Sequence, residues 1–181
     1  MKQEFRILEV IEPDGFVDSP ADTFVKPGHD TGDRFAIFPY VDRNEQELPD
    51  DLWSRSFSEA KDSARIFSIA TDAFDVCVRD LAIDLFDPSF NRAVGRPSYC
   101  GDMFEEYGPN LFSKKSCDTL VSLLCERAEK LAAANLGTFA YSGDYRIMRA
   151  KDAASCCRKF AILLSDLVTR TGCDVVCFDG P

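Results

Sequence analysis

Residues able to carry chemistry are few and scattered in this sequence. It holds eight cysteines (Cys77, Cys100, Cys117, Cys125, Cys156, Cys157, Cys173 and Cys177) and a single histidine, His29, in 181 residues. A cysteine hydrolase needs a base beside its thiol and a group to orient that base. The trio on offer takes Cys100 from Pro97-Ser98-Tyr99-Cys100-Gly101-Asp102, and His29 with Asp30 from Gly28-His29-Asp30-Thr31-Gly32-Asp33. Any loop cysteine combined with the sole histidine makes such a trio, so the pattern favours a turn histidine and a packed cysteine. A serine-hydrolase elbow, G-x-S-x-G, is absent. So are G-x-x-x-x-G-K-[ST] and G-x-G-x-x-G, the loops that cradle phosphates.

Metal chemistry finds equally little support. Structural zinc takes four Cys or His ligands in close pairs, and no Cys-x-x-Cys occurs. The cysteines are expected to behave as small buried hydrophobes in a reducing cytosol. Asp42-Arg43-Asn44-Glu45-Gln46-Glu47 places oxygens at positions 1, 3 and 5 of a calcium loop. Its sixth position, which must be Gly, is Glu47, and its twelfth, which must be Glu, is Trp53. No cofactor is expected.

What remains is a set of carboxylates without a reaction. Asp42, Glu45, Glu47, Asp50 and Asp51 form an acidic connector that runs into Trp53. Asp72, Asp75, Asp80, Asp84 and Asp87 follow on a segment of helical period. Asp75 has Arg79 four residues on, whereas Asp80 and Asp84 are like charges at that spacing and repel. Neutralisation by Arg92 or Arg96 is one expectation, and a cationic partner is the other. Two carboxylates alone do not make a glycosidase, which also needs a sugar cleft of defined width.

Charge narrows the function classes. The net charge is −10, and a surface of that sign repels duplex phosphates and anionic lipid. Residues 1–90 hold 20 Asp and Glu against 9 Lys and Arg, and residues 91–181 hold 11 against 12. A basic partner would therefore dock on the first half. Met1-Lys2-Gln3-Glu4-Phe5-Arg6 lacks the apolar run of a leader. No apolar run approaches the roughly 18 residues of a membrane span. A cytoplasmic protein is expected.

The elements that must position these groups read as an α+β domain over residues 1–181. Phe5–Ile11 and Arg34–Val41 are rich in β-branched and aromatic residues between turn formers, and Phe16, Phe24 and Val25 suggest a third strand. Pro39 marks an edge strand or a strand end. A long helix is expected from Ser54 or Ser58 to Phe86, with Phe67, Ala70, Phe74, Cys77, Leu81 and Leu85 on one row and Asp87-Pro88 as its stop. Residues 88–112 read as an irregular connection whose aromatics (Phe90, Tyr99, Phe104, Tyr107 and Phe112) suggest that it packs rather than floats, with a functional loop as the alternative. A second helix is expected over Ser116–Asn135, a hairpin over Thr138–Met148, a third helix over Lys151–Arg170 ended by Gly172, and a last strand over Asp174–Phe178. Together these predict one small antiparallel or mixed sheet packed with about three helices.

The functional expectation is a soluble acidic protein-binding module. A bacterial immunity protein that neutralises a basic toxin is its concrete form, with Asp42, Glu45, Glu47, Asp50, Asp51, Trp53, Asp80 and Asp84 as the contact residues. The rival readings are a small enzyme built on Cys100 or carboxylates, and a structural or assembly subunit.

Overall fold

The computed structural model describes residues 9–12, 15–18, 34–134, 137–142 and 146–181. Its centre is a five-stranded antiparallel sheet in the order β2-β4-β3-β8-β5. The strands are β2 (Val17–Asp18), β3 (Arg34–Pro39), β4 (Phe67–Ala70), β5 (Pro109–Ser113) and β8 (Val175–Asp179). A smaller sheet, β1-β7-β6, joins β1 (Glu9–Val10) in parallel to β7 (Arg146–Arg149), which pairs antiparallel with β6 (Thr138–Ser142).

Among the described residues six α-helices surround the sheets: α1 (Pro49–Asp62), α2 (Thr71–Cys77), α3 (Arg79–Leu85), α4 (Pro88–Val94), α5 (Lys114–Ala133) and α6 (Ala150–Thr171). Alternation along the strands splits the core into two layers. Phe35, Ile37, Phe67, Ile69, Phe112 and Phe178 face α2, α5 and α6. There Phe35 stacks on Phe74 at 3.9 Å between ring centroids, and Phe112 lies 4.6 Å from Phe178. Ala36, Phe38, Leu111 and Cys177 face the other way, onto Leu52, Phe57 and Ala60 of α1, with Phe90 and Val94 of α4 beside them.

The α+β reading holds, while its details need correction. Residues expected as one long helix form α1, β4, α2 and α3. The helix stops at Ala64, whose φ of 55° is left-handed. The Arg65 N–H then bonds back to the Ala60 carbonyl at 2.8 Å and the Ala64 N–H to that of Lys61 at 3.2 Å, which satisfies the last turn. Ile66 to Ile69 is a short apolar run that fits either period. Pairing with both β2 and β3 settles it as strand.

Residues 88–112, expected to be irregular, contain α4 and β5. Asp87 and Pro88 do end α3, but they also start α4. The Asp87 carboxylate accepts from the Ser89 and Phe90 N–H groups at 2.9 and 3.1 Å, and Pro88 sits in the first turn. With β5 beside β8, the 138–149 hairpin joins the smaller sheet rather than the main one. Pro39 is a strand end, as its missing N–H requires, although β3 itself is central. Phe5 and the expected strand positions Phe24 and Val25 lie outside the described residues. The second and third helices match α5 and α6 to within two residues at each end, and Gly172 ends α6 at φ 62°.

Candidate functional site

The edge of the main sheet at β5 organises a dense network of side-chain hydrogen bonds among the described residues. An edge strand presents unpaired N–H and C=O groups, a template for unwanted pairing. Side chains from α4 and from Arg96, two residues past its end, bond those groups here. The Asn91 side chain accepts from the Leu111 N–H and donates to the Leu111 carbonyl, both at 2.8 Å. Arg96 donates to the Pro109 carbonyl at 2.6 Å. Both side chains are buried.

Arg96 then turns the following loop into a fixed shape. Its guanidinium donates to the carbonyls of Gly101 (3.3 Å) and Met103 (2.9 Å) and to the Asn110 side-chain oxygen (3.1 Å), and lies 5.0 Å over the Phe86 ring. These oxygens replace the water that burial removes, which is the condition for keeping such a cation inside. Asn110, fully buried, clasps the loop from the other end. It accepts from the Glu105 N–H at 2.7 Å and donates to the carbonyls of Glu105, Gly108 and Phe178. Gly180 lets residues 106–108 lie directly on the end of β8, since a Cβ there would run into the Glu106 carbonyl.

Phe104 points inward and packs against Phe74 and Phe86. Tyr99, Met103 and Tyr107 point outward and are 61, 76 and 75% exposed. The segment packs, as its aromatics suggest, but it does so through only part of them. The phenylalanines pack, whereas the two tyrosines project. Asp102, Glu105 and Glu106 share the loop, with Asp102 paired to Arg92 and Glu106 to Arg79.

Beneath Tyr99 lies a buried carboxyl that the sequence reading missed. Asp179 ends β8, is 3% exposed, and its Oδ2 accepts from the Trp53 indole N–H at 3.3 Å. Burial pushes its pKa up to about 7, against the small opposing pull of the indole. The buried part of its side chain raises Tyr99, and the charges of Cys100, Asp179 and Asp50 add to this, while the Trp53–Asp179 bond brings the first turn of α1 to this corner. The cue available in the sequence is Asp179 closing an otherwise apolar strand.

The expected contact residues divide. Asp50 and Asp51 are exposed in the first turn of α1, where the helix dipole favours them, and Trp53 joins them to Asp179. Asp42 and Glu45 are exposed. Glu47 is held by Arg55 through two bonds of 2.8 Å, and this pairing brings its carboxyl down to about 2. Asp80 is gripped by both arms of Arg127 at 2.8 and 2.5 Å. The neutralising cation for Asp80 is therefore Arg127, not Arg92 or Arg96, and both Glu47 and Asp80 already have an internal partner. Asp84 is exposed on α3.

The catalytic alternative gains nothing from this geometry. Cys100 is buried, and burial pushes its thiol up to about 11, the reverse of an activated nucleophile. His29 and Asp30 lie outside the described residues. A surface cavity of about 400 Å³ lies between α1 and the end of β3, lined by Ser56, Glu59, Asp62 and Arg65 among others. The Ser56 hydroxyl is already committed there, donating to the Leu52 carbonyl and accepting from the Val41 N–H. Among the described residues no group of three or more His, Cys, Asp or Glu side chains is arranged to hold a metal ion, and no helix is long and apolar enough to cross a membrane. Comparison with protein-family models, with curated proteins and with solved structures finds no match to this chain.

Proposed function

We propose that this chain is a protein-binding module that docks a basic protein partner through the loop over residues 97–108 and the start of α1. One observation carries the reading: Tyr99, Met103 and Tyr107 are exposed together on a loop whose backbone is fixed from behind by Arg96 and Asn110. Exposed aromatic and Met side chains on a preorganised backbone are what an interface anchor requires, because little ordering entropy is lost on binding. The carboxylates of Asp50, which acts on Tyr99, and of Glu105 on the loop favour a cationic surface. An inhibitor of the immunity type, acting in the cytoplasm on a basic toxin, is the form that fits size, charge and surface best.

This reading shifts the contact residues from those read off the sequence. Asp50, Asp51 and Trp53 stay. Glu47 and Asp80 drop out as primary contacts because they are internally paired, and Tyr99, Met103 and Tyr107 enter.

The test is capture from a lysate of the source cells with the intact protein and with the variant carrying Tyr99→Ser, Met103→Ser and Tyr107→Ser, under low-salt and then moderate-salt washes. The three side chains touch solvent, so the variant keeps its melting temperature. A basic protein retained by the parent, released by salt and lost by the variant supports the reading. Equal retention by both, or no basic protein on either, overturns it.

A further inference from the structure

α5 and α6 cover the face of the main sheet opposite α1, and their inner stripes are buried there, with Leu124 and Ala128 from α5 and Phe160 and Leu164 from α6. The outward side of the pair is different. Ile162, in the middle of α6, is 66% exposed. Beside it a groove of about 380 Å³ runs between the two helices, with Val121 and Cys125 on one wall and Ala161, Ser165 and Thr169 on the other. A lone exposed isoleucine needs no explanation, but this one borders an open groove and stands between opposite charges. Arg158 precedes it by four residues and Asp166 follows it by four.

We infer that this face is a contact between two copies of the chain, in which α6 crosses α6 of the second copy antiparallel about a two-fold axis at Ile162. Such a contact is isologous, so a position after Ile162 in one copy faces the position equally far before it in the other. Four residues advance a helix by one turn and about 40°, which keeps Arg158, Ile162 and Asp166 on one stripe. Arg158 of each copy therefore meets Asp166 of the other, and the pair is made twice. By the same symmetry Lys159 meets Ser165 and Ser155 meets Thr169, so no like charges are opposed. The two Ile162 side chains pass side by side, each entering the other copy's groove beside Val121 and Cys125, and both leave water.

Charge selects both the second copy and this face. The acidic excess of the chain lies in residues 1–90, with 20 Asp and Glu against 9 Lys and Arg, whereas residues 91–181 hold 11 against 12. Two copies meeting through their first halves would set carboxylate against carboxylate. Meeting through α6, they set Arg158 against Asp166. Asp166 is already paired with Arg170 of its own helix at 2.7 Å, but the two side chains are 46 and 60% exposed. A pair so open to solvent contributes little, and the carboxylate has further lone pairs to accept the second guanidinium. None of the residues that dock a basic protein in the reading above lies on α5 or α6, so the inference stands apart from that reading.

The test is sedimentation velocity of the purified full chain over a series of micromolar concentrations, in reductant so that the exposed Cys125 forms no bridge between copies. The expected result is a monomer–dimer equilibrium. Arg158→Asp sets two carboxylates together at both pairs and should weaken the dimer by about tenfold or more. Adding Asp166→Arg rebuilds both pairs with their signs exchanged and should recover most of the parent's affinity. The variant with Tyr99→Ser, Met103→Ser and Tyr107→Ser, altered on the other surface, should dimerise as the parent does. Circular dichroism checks the folding of each variant. Maleimide labelling of Cys125 is a second readout on the parent alone: its rate should fall as the fraction of dimer rises. A chain that stays monomeric throughout, a dimer indifferent to Arg158→Asp, or one that the double reversal fails to restore overturns the inference. Where a reversal variant fails to fold, the labelling decides, and a Cys125 that reacts equally fast in monomer and dimer overturns it as well.

Discussion

Asp179→Asn is the substitution that probes the buried corner most directly. Asp179 sits at the end of β8 with Trp53 as its hydrogen-bond donor, and burial raises it from the ordinary 3.8 to about 7. Because the folded value lies above the unfolded one, the native state keeps a proton that the unfolded chain has released. The stability that this proton confers is full below about pH 4, falls as the pH rises toward about 7, and is gone beyond. A tenfold change in proton affinity corresponds to about 1.4 kcal/mol, so the loss has a ceiling of about 4 kcal/mol. Asparagine keeps an oxygen for the Trp53 N–H and cannot ionise. The variant should match the parent near pH 4 and exceed it at pH 8 by an amount approaching that ceiling. Urea unfolding at a series of pH values measures this, with fluorescence of Trp53, the sole tryptophan, as the probe. Glu47 and Asp80 are lowered by their arginine partners and act with the opposite sign, but they are common to both proteins and cancel in the difference. A parent-to-variant difference that stays constant from pH 4 to pH 8 would refute the reasoning, since it would mean that Asp179 ionises as an exposed carboxyl does.

Two further substitutions test the backbone and the sheet edge. Ala64→Gly relieves a left-handed L-residue, which costs about 1–2 kcal/mol, against a loss of chain entropy of about 0.5–1 kcal/mol. The variant should be more stable by about 0.5–1 kcal/mol in denaturant titration. Asn91→Ala strips the Leu111 N–H and carbonyl of their side-chain partners at the β5 edge. The cost should be about 2–4 kcal/mol, by the penalty for buried unsatisfied groups, with concentration-dependent association visible in light scattering.

Those parts of the fold where one period runs unopposed are legible in the sequence. α5 and α6 carry long single stripes, and Arg34–Pro39 carries a β-rich run between turn formers. The failures have specific causes. Phe67 and Ile69 satisfy a helical row and a strand face equally, and only the neighbouring strands, distant in sequence, decide between them. Asp87-Pro88 reads as a stop because a proline ends a helix, yet the same dipeptide is an N-cap followed by a first-turn proline. Here α3 stops and α4 begins across it. The acidic positions are legible as residues, but which of them keep a free charge depends on Arg55 and Arg127, and the Arg127 pairing joins helices far apart in the chain.

The site itself is hidden because a Gly- and Pro-rich stretch has no periodicity to show which of its polar residues are buried. Asn91, Arg96 and Asn110 are buried, and the reason is the sheet. β5 ends the five-stranded order, so its outer N–H and carbonyl groups need partners that another strand does not supply. Polar side chains from the preceding helix and loop meet that need and become buried by doing so. Once buried, Arg96 and Asn110 have donors left over, which the loop carbonyls at Gly101, Met103, Glu105 and Gly108 accept, while the Asn110 side-chain oxygen accepts from the Glu105 N–H. Arg96, which helps keep the edge from pairing with another strand, thus also holds the loop that carries Tyr99, Met103 and Tyr107. Edge protection and surface display are one hydrogen-bond network. A change that loosens the loop also uncovers the edge, and for this reason a test of docking must alter the exposed side chains and leave Arg96 and Asn110 intact.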